Sequence, residues 1–185
     1  MKPVQRNELL DFVTYNEKRD ELRPLALAAK APRRVEVGEF LVFLFENRDT
    51  VRYQVQEMMR VEQIVKEADI QHELETYNEL LGGPGELGCT LLIGIDDEAQ
   101  RDEKLVAWLE LPQHLYAKLP DGTKVRPIFD GRQVGETRLS SVQYLRFAVG
   151  GTVPVALGSD LPALEVEVPL SEVQKAALGE DLATD

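Results

Sequence analysis

The sequence predicts an α+β fold, helical in its N-terminal half and built on a mostly antiparallel sheet in its C-terminal half. Three observations predict it. Apolar residues recur at helical spacing through much of residues 1–83. Short alternating or continuous apolar runs dominate residues 84–170. Capping and turn residues stand where one pattern gives way to the next. A C-terminal helix over about 171–182 completes a single domain spanning residues 1–185, and a chain that is 43% hydrophobic can bury an ordinary core.

In the helical part, Thr14 and Glu17 have capping-box spacing, and Leu22, Leu25, Ala26 and Ala29 follow near helical period. Pro24 lacks an N–H and is expected to kink or divide this helix, which Pro32 closes. Arg33-Arg34 then leads into Val35 and Val37. Residues 40–45 form an unbroken apolar run, the pattern of a strand covered on both faces. Asp49 or Thr50 is expected to cap a helix running to about Ala68. Its stripe is Val51, Val55, Met58 and Val65, widened by Val61 and Ile64. Asp69 is expected to cap a further helix over 70–81, with Leu74, Tyr77 and Leu81 as its apolar face. Gly82-Gly83-Pro84-Gly85 stops it.

In the sheet part, residues 90–95 read as a buried strand, followed by an acidic turn or short helix over 96–103. Segments 115–119 and 123–129 flank Pro120-Asp121-Gly122, a hairpin turn in which glycine takes the positive φ. Asp130-Gly131 marks another turn. Strands are expected over 142–149 and 153–157, and Leu164, Val166 and Val168 alternate with Glu165 and Glu167 as on a half-exposed strand. Ser171 and Gln174 have the spacing of a cap for the last helix. The acidic tail, 179–185, is expected to fray. The two runs without alternation, 40–45 and 90–95, are expected at the centre of the sheet.

Composition excludes several functions. Thirty-three acidic side chains stand against 21 basic ones, a net charge of −12, so clustered basic groups for nucleic acid are not expected. The single Cys89 excludes an intrachain disulfide, and with two histidines it excludes the usual zinc-finger sets. The longest apolar runs fall far short of the roughly 18 residues of a membrane span, and the polar start holds no signal-peptide segment. A cytoplasmic protein is the expectation.

Chemistry-bearing patterns are sparse. Asp69 and His72 give one Glu-x-x-His-like spacing without a second copy, and His114 has no visible ligand partners. Cys89 precedes an apolar strand with no base nearby, the setting of a buried thiol. Ser140-Ser141 lacks a nucleophile elbow, and no acid–His pair is legible. The glycine cluster at 82–85 lacks the Lys-Ser/Thr of a phosphate loop. The acidic run at 96–103 lacks calcium-loop spacing. No catalytic residue, metal or cofactor is therefore expected. The candidate for binding or interaction is the polar stretch holding Glu46, Arg48, Asp49, Gln56, Glu57 and Arg60, with Glu73, Tyr77 and Asn78 of the next helix. Glu57 and Arg60 share one helical face, where they form either an ordinary surface ion pair or, if enclosed beside Glu73 and Asn78, a polar site.

The stretch from Arg33-Arg34 through Glu46-Asn47-Arg48-Asp49-Thr50 to Tyr53-Gln54-Val55-Gln56-Glu57-Met58 resembles a bacterial family of unknown function, DUF3501. Arg60-Val61-Glu62, Glu73-Leu74-Glu75, Tyr77-Asn78 and Tyr144-Leu145-Arg146-Phe147 extend the resemblance over nearly the whole chain. The family brings no established activity. Its genes often lie beside those of rubrerythrin-like proteins and iron–sulfur oxidoreductase subunits, which implies a redox or oxidative-stress context. Members carry His where this chain has Gln143, and His after the position of Asp160, where this chain has Leu161. An imidazole site in those relatives would be altered here, since neither Gln nor Leu supplies an imidazole nitrogen.

Two functions are compatible with these features. The first is a non-catalytic accessory or interaction protein with a redox partner. The second is a small-molecule-binding protein or enzyme using the polar stretch. Burial discriminates them: an enclosed convergent cluster favours the second, a solvated face the first. A homodimer joined through the helical half is compatible with either.

Overall fold

The structure, a computed structural model, describes residues 1–131, 134, 135 and 137–184. Among them, nine strands form two antiparallel sheets, and six α-helices surround them. The five-stranded sheet has the order β1 (Arg34–Val37), β2 (Leu41–Phe45), β3 (Leu87–Ile93), β7 (Val142–Phe147) and β6 (Pro127–Ile128). The four-stranded sheet has the order β5 (Lys124–Val125), β4 (Leu115–Lys118), β8 (Ala156–Leu161) and β9 (Leu164–Pro169). The fold is thus α+β as the patterns predict, with two sheets in place of one and with β1 and β2 drawn from the helical half.

One apolar cluster takes residues from both sheets. Phe43, Phe45 and Phe147 meet at ring-centroid distances of 6.3–6.4 Å, with Leu91, Leu115 and Leu157 around them. The runs without alternation became β2 and β3, interior strands of the larger sheet. β3 starts earlier than expected, at Leu87, because Gly88 lets the loop after α3 lie directly on the strand: a Cβ there would stand 1.8 Å from the Leu80 carbonyl oxygen. The 123–129 segment divides, β5 pairing with β4 and β6 crossing to β7. The strand expected over 153–157 begins instead at Ala156 and runs to Leu161. α4 (Glu98–Ala107), α5 (Leu111–His114) and α6 (Glu172–Ala183) contribute Leu105, Leu111 and Leu178 to the same cluster. Ser171 and Gln174 form the expected capping box. The tail does not fray as expected: α6 continues to Ala183 and buries Asp181, while Asp185 lies outside the described residues.

A second apolar cluster joins α2 (Arg48–Val61), α3 (Glu67–Asn78) and the segment before α1 (Phe12–Lys30) through Val4, Leu9, Val51, Val55, Met59, Ile70 and Leu74. Here several boundaries differ from expectation. Asp11, not Thr14, caps α1, accepting from the Val13 and Thr14 N–H groups. Pro24 neither ends nor divides α1; the Asp20 carbonyl that loses its donor lies on the exposed side. Asn47 caps α2 with Thr50 as its reciprocal partner, which places Asp49 inside the first turn. α2 stops at Val61, because Gln63 takes the left-handed conformation (φ 55°) and the Ile64 N–H returns to the Met59 carbonyl. Val61 and Val65 consequently face solvent, and Met59 replaces Met58 in the buried stripe. α3 opens at Glu67, not Ile70, and closes at Asn78. Among the described residues no helix is long and apolar enough to cross a membrane.

Candidate functional site

The polar stretch at 46–60 connects β2 to α2, and its side chains reach several parts of the chain. Glu46 accepts from the hydroxyls of Thr50 (2.5 Å) and Thr90 (3.0 Å), joining α2 to β3. Asn47 donates to Asp181 (3.3 Å), whose carboxylate also receives Arg33 through two parallel bonds of 2.7 and 2.8 Å. Arg33 and Asp181 are both buried, so this pair forms an internal knot between the 3₁₀ turn before β1 (Ala31–Arg33), the N-cap of α2 and α6. Arg48 donates to both carboxylate oxygens of Glu8 and to the carbonyls of Lys2 and Pro3. Asp49 is exposed and pairs with Arg52.

Gln56 and Asn78 do the same job at two points. Gln56 accepts from the Leu10 N–H (2.7 Å) and donates to the Leu10 carbonyl (3.1 Å). Asn78 accepts from the Val4 N–H (2.8 Å) and donates to the Val4 carbonyl (3.0 Å). Each primary amide supplies the donor and acceptor that a neighbouring strand would have offered. The segment 1–11 is strapped over α2 and α3 by these two residues and Arg48.

Glu57 and Arg60 meet α1, not the Glu73 and Asn78 positions of α3 that sequence spacing suggested. The Glu57 carboxylate accepts from the Tyr15 hydroxyl (2.7 Å), from Arg19 (2.8 and 3.1 Å) and from Arg60 (3.1 Å), and its side chain is 15% exposed. Burial alone would push this carboxyl up, but the bonds from Arg19, Tyr15 and Arg60 outweigh it and hold it down at about 2. Burial and the neighbouring Glu57 together push the Tyr15 phenol well above its ordinary value. The buried Arg60 Nε makes no hydrogen bond to a described residue. Glu73 is half-buried and forms no hydrogen bond or ion pair with a described residue.

Three cavities border these residues, of which the smallest, about 390 Å³, is lined by Lys2, Pro3, Gln5, Arg48 and Thr184. One, of about 470 Å³, lies between α1 and α2, with Tyr15, Leu22, Leu25 and Ala26 on one wall and Asp49, Arg52, Tyr53 and Gln56 on the other. Leu25 is 67% exposed at its mouth, and the Lys30 ammonium sits 5.1 Å from the Tyr53 ring centroid. Another, of about 830 Å³, lies between the end of α3 and the β6–β7 edge and includes Tyr77, Asn78, Tyr144 and Arg146. The candidate residues thus divide: Asp49 and Gln56 line the cavity between α1 and α2, Tyr77 and Asn78 that beside the β6–β7 edge, and Arg48 the smallest. Glu57 and Arg60 form a separate centre with α1.

Sequence reasoning missed a cluster on the four-stranded sheet, including an acid–His pair. His114 Nδ1 lies 3.1 Å from Asp160 Oδ1, and the same carboxylate receives Arg126 (2.6 and 3.1 Å) and Lys124 (3.3 Å). The Arg126 guanidinium, with smaller help from His114 and Lys124, holds the Asp160 carboxyl well below its ordinary range. Tyr116 lies across Gly158 to reach Glu167 (2.8 Å), with the Lys124 ammonium 4.1 Å from its ring centroid. The pairings depend on the register Leu115↔Ser159 and Tyr116↔Gly158, which no local motif announces. Chemically the cluster is a charge-balanced brace in which Asp160 orients the imidazole. Among the described residues no group of three or more His, Cys, Asp or Glu gathers to hold a metal ion. Cys89 is buried, and burial raises its thiol well above the ordinary value.

A family model described as "Protein of unknown function (DUF3501)" matches residues 3–182. The solved structure of a protein of unknown function from Burkholderia pseudomallei K96243 is similar, with 28% identity and a TM-score of 0.89 over 98% of this chain and 100% of that one. No curated protein is similar enough to match.

Proposed function

The chain belongs to the DUF3501 family, whose function is unknown, and on that premise we propose that it is a non-catalytic accessory protein that binds a partner through the groove between α1 and α2. One observation carries this reading. Glu46, Asn47, Arg48, Gln56 and Glu57 direct their hydrogen bonds to other parts of the same chain, while Leu22 and Leu25 line the open cavity beside them. Catalysis on a substrate needs convergent polar groups free to act on it, and these five side chains are already engaged within the chain. This favours the accessory reading over a small-molecule-binding protein or enzyme built on residues 46–60.

Charge distribution supports the same face. Residues 1–62 carry eleven acidic and eleven basic side chains, whereas residues 63–185 carry 22 acidic against ten basic. The groove therefore lies in the charge-balanced part of the chain, and the acidic remainder can steer a basic partner toward it. The partner we propose is a redox protein, on the strength of the gene neighbourhood of the family. We place the interaction in the cytoplasm and leave nucleic acid aside on the acidic balance. The knot of Arg33, Asn47 and Asp181, which ties the helical half of the chain to the C-terminal helix, supports a single folding unit.

The test is calorimetric titration of the chain with a rubrerythrin-like protein and with an iron–sulfur oxidoreductase subunit, the partner classes that the family resemblance implies. Saturable binding that is lost in Leu25→Glu and kept in Val173→Glu, an equally exposed position on α6, is the expected result. Binding unchanged by Leu25→Glu, binding to a second copy of the chain in place of a redox protein, or no binding at all would refute it.

A further inference from the structure

We propose that the cavity of about 830 Å³ between the end of α3 and the β6–β7 edge is a second site, one that takes a planar aromatic molecule bearing an anionic group. Its volume is that of a small-molecule pocket. One wall is the outer face of β6 and β7, where register places Ile128 directly opposite Arg146 and alternation places Tyr144 on the same side. Ile128 is 47% and Tyr144 45% exposed, so an aromatic body laid here removes apolar surface from water. Phe129 and Tyr77 also line the cavity, aromatic residues suited to offset or edge-on contact with a planar ligand.

Arg146 supplies the charge. Its guanidinium donates no hydrogen bond to a described residue, and its ionic neighbour, Glu86, is 3.6 Å away, beyond good hydrogen-bonding distance. The Glu86 oxygen nearest Arg146, Oε2, also accepts from the Gly83 N–H at 3.0 Å, so the loop shares it. A planar fork that is ion-paired at 3.6 Å but makes no hydrogen bond to a described residue is matched to a carboxylate, sulfonate or phosphate group. Glu79 and Asp130 also stand in the wall, so an anionic group is favoured at the Arg146 end alone. The opposite wall is fixed in advance, because the 80–83 loop rests on the bare backbone at Gly88.

The probe is 8-anilinonaphthalene-1-sulfonate, titrated into the full chain and followed by its fluorescence. One saturable site is expected, weakened at least tenfold by Arg146→Met and by Tyr144→Ala and unchanged by Leu25→Glu at the cavity between α1 and α2. The neutral analogue N-phenyl-1-naphthylamine, tested on the unaltered chain, is expected to bind at least tenfold more weakly, a comparison that does not depend on any variant folding. Equal binding of the two probes would overturn the proposal. So would retention of the sulfonate by Arg146→Met, or its loss in Leu25→Glu alone.

Discussion

Gln56 grips the backbone on both sides of Leu10, accepting from its N–H at 2.7 Å and donating to its carbonyl at 3.1 Å. A residue that sequence spacing offered as a binding group thereby holds a neighbouring segment of its own chain. Gln56 is buried, so removing its amide strands two backbone groups. Gln56→Ala is expected to cost about 1–3 kcal/mol of stability in urea unfolding, and Asn78→Ala, at the equivalent clamp on Val4, a similar amount. Loss of less than about 0.5 kcal/mol in both would mean that the strap is not held this way.

Arg33 and Asp181 carry a different expectation. Breaking a buried, doubly bonded pair leaves an uncompensated charge, so Asp181→Ala is expected to cost about 3–5 kcal/mol. Arg33→Met with Asp181→Leu is expected to recover much of that loss, because the desolvation cost of both charges disappears together. A double variant less stable than Asp181→Ala would contradict this. Chemical denaturation of the three variants measures it.

The Glu57 centre sets a pH dependence. Its folded carboxyl lies at about 2, against 4.5 for the ordinary value, so its contribution is complete above pH 4.5 and is lost as pH falls from 4.5 toward 2. That difference corresponds to about 3 kcal/mol. Glu57→Gln is expected to lower stability at pH 7 and to flatten the acid limb over that window. An acid limb that is parallel in parent and variant would show that the three donors do not hold the charge.

Much of the fold was legible, and the failures share a physical cause. The interior strands could be read because unbroken apolar runs have few other solutions, and the α6 cap because Ser171 and Gln174 are the usual residues for it. The end of α2 was hidden because the left-handed position went to Gln63, a residue that carries no glycine signal. The start of α3 was hidden because Lys66 offers no capping side chain. For the candidate residues, sequence spacing placed Glu57 and Arg60 on one face, yet the partners Tyr15 and Arg19 lie about forty residues upstream. Likewise the His114–Asp160 pair is created by strand register, which spacing along the chain does not encode.

Gly158 is expected to be irreplaceable for a steric reason. A Cβ there would stand 2.5 Å from the Val166 carbonyl oxygen and 2.6 Å from the Tyr116 hydroxyl. Gly158→Ala should cost roughly 1–3 kcal/mol. It should also detach Tyr116 from Glu167 and let the phenol, which burial first and Glu167 second have pushed up to about 12, fall toward 10. Alkaline absorbance titration reads this, and an unmoved phenol would show that Tyr116 does not depend on the bare backbone beneath it.

In the function proposed above, the polar stretch at 46–60 builds the molecule while the groove beside it does the binding. Hydrogen–deuterium exchange of the chain, alone and saturated with the redox protein proposed as its partner, tests this most directly. The predicted result is new protection in α1 over residues 15–26 and in α2 over 49–56, with the four-stranded sheet unchanged. Protection confined to β4, β8 and β9, with α1 exchanging as in the free chain, would contradict it.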